Sequence, residues 1–469
     1  MTALPGSEGV ATRSQDKNAS LTLGIAGLAA MATYLDTTIL FVAFPGITAS
    51  FDTSSTSTLS WVLNAYTIVF AALLVPAGKL ADRFGHRRAF LVGSATFSMA
   101  SLACGIAPSA ELLIGARVVQ GAGAAILVPA SLALVMAAFP KDKLPQVIAV
   151  WGAIGALSAA LGPSLGALII EAFGWRWAFF INLPVGVATI IAGTRYLQES
   201  RDPLVRIPSL AGVALLAGAA SAILFGLVES DNVGWASWQT IGFVAGGTVL
   251  LAVFVIHQRR TEAPTLDPEL FALVNFRWGN LAMLSFNMSF TAMFFGLILF
   301  LVNVWEWSIL KAGLGVAPGP ALAAVFAARF GKLAGEIGQR PLVILGGLVA
   351  AASGFYRVLL LDEGVDYLVD FGVPLFLSAI AIGLVFPQVT SVAVQAVPAN
   401  RVGVGGATTQ AVRQFGGSLG VALTITLLGS ATGKLDLVAG FNRIWWLVIA
   451  GGVVTTLFAL PLRTGRATT

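Results

Sequence analysis

The sequence predicts an all-α integral membrane protein. Its 469 residues are 57% hydrophobic and only 10% charged, and their mean hydropathy is +0.87. Soluble domains carry about 25% charged residues. The apolar residues form long runs separated by short polar loops. Helices that cross a bilayer repeatedly, each with about 20 apolar residues, have this pattern.

Fourteen membrane-spanning helices are predicted from these runs. Residues 1–20 are polar and lack the apolar centre of a cleavable signal, so the first span is expected to direct insertion. The predicted spans are 21–45, 59–78, 89–107, 111–135, 145–170, 178–197, 208–228, 238–257, 279–303, 312–330, 341–361, 367–394, 405–429 and 442–462.

The chain contains an internal repeat. The segment GKLADRFGHRR at 78–88 is echoed by GKLAGEIGQR at 331–340, at an offset of 253 residues, and each copy follows the second span of a six-span block. Repeated halves with a substrate site between them are a transporter architecture. We therefore predict a cytoplasmic tail at 1–20, a six-helix bundle at 21–200, a two-helix insert with its linkers at 201–262 and a second six-helix bundle at 263–465.

The first copy of the repeat is the densest charged run of the chain. A basic cytoplasmic loop would explain its arginines, but not its glycines, which permit tight turns, or its aspartate, which can pair with an arginine or a helix N-terminus. We predict a conformational latch rather than a binding site. The latch residues are Gly78, Asp82, Arg83, Gly85, Arg87 and Arg88.

These residues resemble the loop motif between helices two and three of the major facilitator superfamily, although His86 stands where the family usually has Arg. Other stretches resemble the fourteen-helix drug/proton antiporter branch of that family. The resemblance implies the major facilitator fold and proton-driven efflux of drugs. The stretches are 35–45, with Phe41 in place of a usual Asn, 113–121, the fifth-span residues Ser158, Gly162, Pro163 and Gly166, and 175–184.

The fifth-span residues also have a direct physical interpretation. Ser158, Gly162 and Gly166 recur every four residues and offer a close-packing stripe to a neighbouring helix. Pro163 removes a backbone hydrogen bond and favours a bend. Ordinary small-residue packing without a role in transport is the alternative.

Three ionisable residues are predicted to lie deep in apolar spans: Asp36, Arg117 and Arg413. An ion at the membrane centre costs about 2.5–3.5 kcal/mol on insertion scales, so each is expected to face a partner or a water-filled cavity. Asp36 is the acid among the three, and we predict that Asp36 and Arg117 form the proton-coupling centre. A structural ion pair is the alternative.

Polar residues on the same helix faces as these charges predict a substrate cavity. Hydrogen bonding between helices would explain the asparagines among them equally well. The candidate cavity residues are Thr33, Asn64, Gln120, Asn287, Gln410, Arg413 and Gln414.

Basic residues predict the orientation. With the N-terminus in the cytoplasm, 20 of the 27 Lys and Arg residues fall on the cytoplasmic side and two fall within spans. We expect a multi-pass protein of the bacterial cytoplasmic membrane with both termini in the cytoplasm. The residues expected on or near the outer side are Arg176, Lys311, Arg357, Lys434 and Arg443.

The sequence therefore predicts a proton-coupled exporter of hydrophobic or amphipathic small molecules. We expect it to act as a monomer in the bilayer, without cofactor, metal, nucleotide or nucleic acid. No GxxxxGK[ST] loop occurs, which argues against ATP as the energy source. Proton-coupled import of a nutrient is the first alternative. A membrane-embedded transferase is the second, but the two histidines, His86 and His257, are expected at helix ends rather than in a cavity.

Cysteine labelling tests the predicted orientation. In a Cys104→Ala background, Asp362→Cys should react with an impermeant thiol reagent added to intact cells, whereas His86→Cys should react only after the membrane is opened. Equal labelling of the two sites in intact cells would contradict the orientation.

Overall fold

The computed structural model describes residues 7–51, 54–140, 143–202, 207–362, 364, 366–398, 401–429 and 434–463. Every regular element in these ranges is a helix. The α-helices are α1 (Ser7–Ser50), α2 (Thr56–Phe84), α3 (His86–Gly105), α4 (Ala110–Ala138), α5 (Leu144–Phe173), α6 (Trp177–Phe180), α7 (Asn182–Tyr196), α8 (Leu210–Val233), α9 (Trp238–Arg260), α10 (Val274–Asn303), α11 (Ile309–Val316), α12 (Pro318–Ile337), α13 (Gln339–Leu360), α14 (Val373–Gln395), α15 (Val402–Leu428) and α16 (Lys434–Ala459).

Twelve helical segments of the described ranges are long and apolar enough to cross a membrane. Two of them are interrupted: α6 and α7 form one, and α11 and α12 form another. α3 and α5 coincide with the predicted spans 89–107 and 145–170 but are not among the twelve. The prediction of fourteen spans therefore depends on these two helices, and α3 is less apolar because it begins with His86, Arg87 and Arg88.

Several helix ends follow directly from the sequence. Ser55, Ser109 and Ser237 each accept a hydrogen bond from the backbone N–H three residues later, and so cap the starts of α2, α4 and α9. Gly85 ends α2 with a φ of +118°, a conformation that side chains disfavour. α1 begins at Ser7, so it includes most of the residues that the sequence assigned to a tail.

The helices form two groups, α1–α7 and α10–α16, with the insert helices α8 and α9 between them in the chain. In the first, α4 packs against α2 and α3, and α1 packs against α5; in the second, α13 packs against α14 and α16, and α10 against α15. α8 and α9 pack against each other, and α8 also contacts α2 and α15. The insert helix α8 therefore touches both groups, which also meet directly through α2 and α15.

Aromatic rings join the two groups at the ends of α1 and α10 that lie away from residues 78–88. The rings of Phe41 and Phe294 have centroids 6.1 Å apart, and those of Phe44 and Phe295 are 5.3 Å apart with an interplanar angle of 83°. All four phenylalanines are buried. They belong to the largest apolar cluster of the described chain, which draws residues from both groups.

The contact between α3 and α4 depends on glycine. A Cβ atom at Gly123 would lie 2.6 Å from the backbone nitrogen of Phe97. The two helices therefore approach each other more closely than a larger residue permits. Gly115, on the same helix, has nothing within 4 Å of such an atom.

Gly123→Leu should therefore destabilise the protein, because overpacking a close contact costs about 1–3 kcal/mol. Thermal unfolding of the purified protein in detergent should show a melting temperature several degrees below that of the unmodified chain. Gly115→Leu is the matched control and should change the melting temperature little. Equal effects of the two substitutions would mean that the α3–α4 contact is looser than described.

Candidate functional site

A buried polar network surrounds Asp36 on α1. Arg117 Nη1 on α4 donates to Asp36 Oδ2 at 2.6 Å, and both side chains are 1% exposed. Asp36 Oδ1 accepts two further hydrogen bonds, from Gln120 Nε2 at 2.8 Å and from Asn182 Nδ2 at 2.9 Å. Three donors from two other helices thus converge on the carboxylate.

Arg117 is satisfied on its remaining sides. Its Nη1 also donates to Gln120 Oε1 at 2.5 Å, and its Nε donates to the carbonyl oxygen of Val62 on α2 at 2.9 Å. The guanidinium carbon lies 4.1 Å from the centre of the Tyr66 ring, in a cation–π contact. The arginine therefore ties together α1, α2 and α4.

Two residues of this network were not recognised as site residues from the sequence. Asn182, the first residue of α7, and Ser101, on α3, are both buried, and Ser101 Oγ accepts from Gln120 Nε2 at 2.8 Å. Asn182 lies in the stretch 175–184, which resembles the antiporter branch but from which no site residue is predicted. Its position at the break between α6 and α7 was the available signal, because a polar residue there starts a new helix inside the apolar bundle.

The fifth-span residues lie where α5 approaches its neighbours. A Cβ atom at Gly166 would lie 3.0 Å from the side chain of Ile39 on α1, and one at Gly162 would overlap Thr38. The carbonyl of Pro163 lies beside Gly313 on α11, so this part of α5 reaches the second group of helices. Ser158 Oγ donates to the carbonyl of Ile154 within α5. The small residues thus allow α5 to pack between α1 and α11.

The candidate cavity residues separate into different environments. Thr33 is buried and donates to the carbonyl of Ala30, and Gln120 belongs to the Asp36 network. Asn287 Nδ2 donates to the carbonyl of Arg413 at 2.6 Å, so α10 and α15 are linked there.

Of the remaining candidates, Asn64 is fully buried, and neither of its amide atoms has a hydrogen-bond partner in the described chain; the Nε2 of Gln410 likewise has none. The guanidinium of Arg413 lies 5.0 Å from the ring centre of Phe386. Gln414 is half-buried. These groups have hydrogen-bonding capacity available for a ligand.

Arg357 is a second buried arginine, and it lies inside the second group of helices. It is expected on or near the outer side, and its side chain is 0% exposed. Its Nη1 donates to the carbonyl of Ser353, and its Nη2 donates to the carbonyl of Pro374 and to Ser378 Oγ, all at 3.0–3.1 Å. The guanidinium also lies over the Trp445 ring at 5.5 Å. The second group therefore buries a cation among hydroxyl and carbonyl oxygens.

The charged loop at 78–88 binds the segment that follows α7. Asp82 Oδ1 lies 2.8 Å from His86 Nε2, and the backbone N–H of Asp202 donates to the Asp82 carbonyl at 2.6 Å. The backbone N–H groups of Arg87 and Arg88 donate to the carboxylate of Glu199. Any Cβ at Gly85 would contact that carboxylate at 2.5 Å. The partners predicted for Asp82 were Arg83, Arg87 or the start of α15; the described side-chain partner is His86.

The remaining loop residues lie close by. Arg87 Nη2 donates to the carbonyl of Thr194 at 2.6 Å, and the side chain of Arg88 is 75% exposed. Gly78 faces Pro129 of α4 at ordinary contact distance. Loop, α4 and the end of α7 are thus held together within the first group of helices.

Comparison with known proteins decides the family. The model of the Major Facilitator Superfamily matches residues 26–421. The chain belongs to this superfamily. The resemblance seen in the sequence is thereby confirmed, and the protein is a transporter rather than an enzyme.

Its relatives within the superfamily include resistance and export proteins. It is 35% identical over 414 residues to "Multidrug resistance protein Stp" of Mycobacterium tuberculosis, covering 87% of this chain and 76% of the relative. It is 33% identical to "Tetracenomycin C resistance and export protein" of Streptomyces glaucescens, over 88% and 77% of the two chains. It is 32% identical to "Cephamycin export protein CmcT" of Amycolatopsis lactamdurans, over 92% and 90%.

The fold is also that of a solved transporter. The structure described as "Crystal structure of peptide transporter POT in complex with sulfate" matches with a TM-score of 0.65 at 16% identity, and the alignment covers 94% of each chain. At this identity the likeness concerns the fold alone. The predicted major facilitator fold is confirmed.

Asp82→Asn should slow transport by this superfamily member while leaving substrate affinity nearly unchanged, because Asp82 bonds to His86 at the junction of α2 and α3 and is not part of the Asp36 network. Efflux rate and equilibrium binding, measured on the same purified protein, separate the two quantities. His86→Arg keeps a donor for Asp82 and should retain transport. Loss of affinity with normal turnover in Asp82→Asn would contradict the latch.

Proposed function

We propose that this chain is a proton-coupled exporter of hydrophobic or amphipathic small molecules that works by alternating access. The observation that carries the proposal is the buried network in which Asp36 accepts from Arg117, Gln120 and Asn182. Asp36 is the acid within this network and can carry a proton. The export and resistance proteins among the relatives support the direction of transport.

The coupling step follows from the hydrogen bonds of the carboxylate. Ionised Asp36 accepts at both oxygens, so all three donors on α4 and α7 converge on α1. A proton on either oxygen removes the charge and replaces an acceptor by a donor. Arg117 then keeps Val62 and Gln120 as partners but loses its ion pair. Protonation thus weakens the link between α1 and α4, and deprotonation restores it.

This change in bonding biases the conformational equilibrium. A proton shifts the equilibrium only by its differential free energy of binding to the two states, and an ion pair made in one protonation state supplies such a difference. The membrane potential contributes about 2.3 kcal/mol per charge per 100 mV. One coupled proton is therefore enough to accumulate cargo against a gradient.

The side chains of the second half favour neutral, lipid-like or anionic cargo. Arg413 and the amides of Asn287, Gln410 and Gln414 occupy α10 and α15, and all of them can donate hydrogen bonds. The Asn64 amide of α2 is buried without a partner in the described chain. Apolar cargo with a few acceptor groups matches this surface better than a cation does.

The arrangement in the membrane is part of the proposal. We place fourteen spans in the bacterial cytoplasmic membrane, which are the twelve segments above together with α3 and α5, and we place both termini in the cytoplasm. Residues 21–200 and 263–465 are then the two transport bundles, and 201–262 is the insert. The transporter acts as a monomer and uses the proton gradient without cofactor or nucleotide.

Asp36→Asn should abolish gradient-driven efflux while cargo binding persists, because the amide resembles the protonated carboxyl and cannot exchange a proton. Cargo-induced proton flux in proteoliposomes measures coupling, and cargo binding to the same preparation measures affinity. Arg117→Lys keeps the charge but loses the planar fork that bonds Asp36, Gln120 and Val62 together, so its flux should be reduced rather than normal.

Ser158→Ala is a suitable control, since Ser158 bonds only within its own helix among the described contacts. Normal proton flux in Asp36→Asn would place the proton site elsewhere and refute this mechanism. Proton flux in the same direction as the cargo would identify an importer instead.

A further inference from the structure

An open apolar groove lies between the insert and the second half. It has a volume of about 450 Å³ and is lined by α8, α9, the turn after residue 266, α10 and α15. Apart from Gln258 and Arg259, all lining residues are apolar. Leu251 and Val255 on α9 are 40% and 42% exposed, so the groove opens on the outer surface of the helix bundle.

The two polar residues occupy one end of the groove. Gln258 and Arg259 belong to the last turn of α9, on the same side of the bundle as the loop at 78–88. Gln258 is 3% exposed; its Oε1 accepts from the backbone of Thr265 and Leu266, but its Nε2 has no hydrogen-bond partner in the described chain. Arg259 is exposed. The guanidinium therefore lies at the end of an apolar channel, and the amide Nε2 of Gln258 lies beside Gly212 of α8.

The groove exists because the insert touches the bundles along only part of its length. Leu224 and Val228 of α8 pack with Ile68 of α2 and Ala422 of α15, and Thr426 Oγ1 donates to the carbonyl of Leu227 at 2.8 Å. Nearer the loop end, α8 and α9 diverge from α15 between Ala411 and Leu419. Eight residues of helix correspond to about 12 Å, a length that suits an acyl chain.

We propose that this groove binds an anionic phospholipid of the leaflet that faces the 78–88 loop. The acyl chains lie along the apolar walls, and the phosphate pairs with Arg259. The guanidinium is a cation and a donor, so it complements phosphate oxygens and not an ammonium cargo. The bound lipid fills the space between the insert and α15, a helix that contacts both halves.

Native mass spectrometry of the intact transporter, titrated with phosphatidylglycerol or phosphatidylcholine in detergent, tests this site. The unmodified chain should retain one phosphatidylglycerol in preference to phosphatidylcholine. Arg259→Gln should weaken that binding about fivefold, since one basic residue near a membrane surface contributes about 1 kcal/mol. Arg260→Gln is the matched control: the neighbouring arginine is exposed and does not line the groove.

A second pair of variants tests the apolar part. Ala220 lines the groove, whereas Ala214, also on α8, is exposed and does not. Ala220→Phe should abolish retention of the lipid, and Ala214→Phe should not. If Ala220→Phe fails to fold, Arg259→Gln still decides the matter.

Three results would overturn the proposal. They are equal retention of phosphatidylcholine and phosphatidylglycerol, equal loss in the Arg259→Gln and Arg260→Gln variants, and displacement of the lipid by an apolar transported compound in a one-to-one competition. The last result would identify the groove as a cargo entrance. None of these outcomes depends on whether Asp36 couples transport to protons.

Discussion

The ion pair between Asp36 and Arg117, 2.6 Å long and buried at both ends, is the contact on which the first half depends. An unpaired buried ion costs several kcal/mol, and a buried pair is stabilising only when its remaining donors and acceptors are also satisfied. Gln120, Asn182 and the Val62 carbonyl meet that requirement. Four helices are thereby fixed around one carboxylate. A change at that carboxylate therefore affects contacts among all four of these helices.

Hydropathy predicted the membrane fold. The buried charges predicted a contact between α1 and α4, because an ion in an apolar span requires a partner. Asn182 and Ser101 were missed, since neutral polar residues carry no comparable penalty and many bond only to their own helix. Arg357 lies four residues before the end of its predicted span, where arginine usually extends towards the membrane surface. Its guanidinium instead bonds inward, to Pro374 and Ser378. Sequence spacing does not specify that direction.

The two halves share a fold but differ in their buried chemistry. The first half holds an acid and a base in contact, so its charge changes when a proton binds. In the second half, Arg357 bonds to hydroxyl and carbonyl oxygens and Arg413 lies over the Phe386 ring. In the proposed mechanism one half responds to the proton, and the other presents an unchanging, donor-rich surface to the cargo.

In the proposed mechanism, the aromatic contact between the halves limits the leakage of protons. Protons move through proteins along ionisable groups and chains of hydrogen-bonded water, and the rings of Phe41, Phe44, Phe294 and Phe295 offer neither. In a proton-driven exporter, water between these rings would allow protons to cross the membrane without moving cargo. In the proposed mechanism, the efficiency of coupling therefore depends on four apolar side chains outside the Asp36 network.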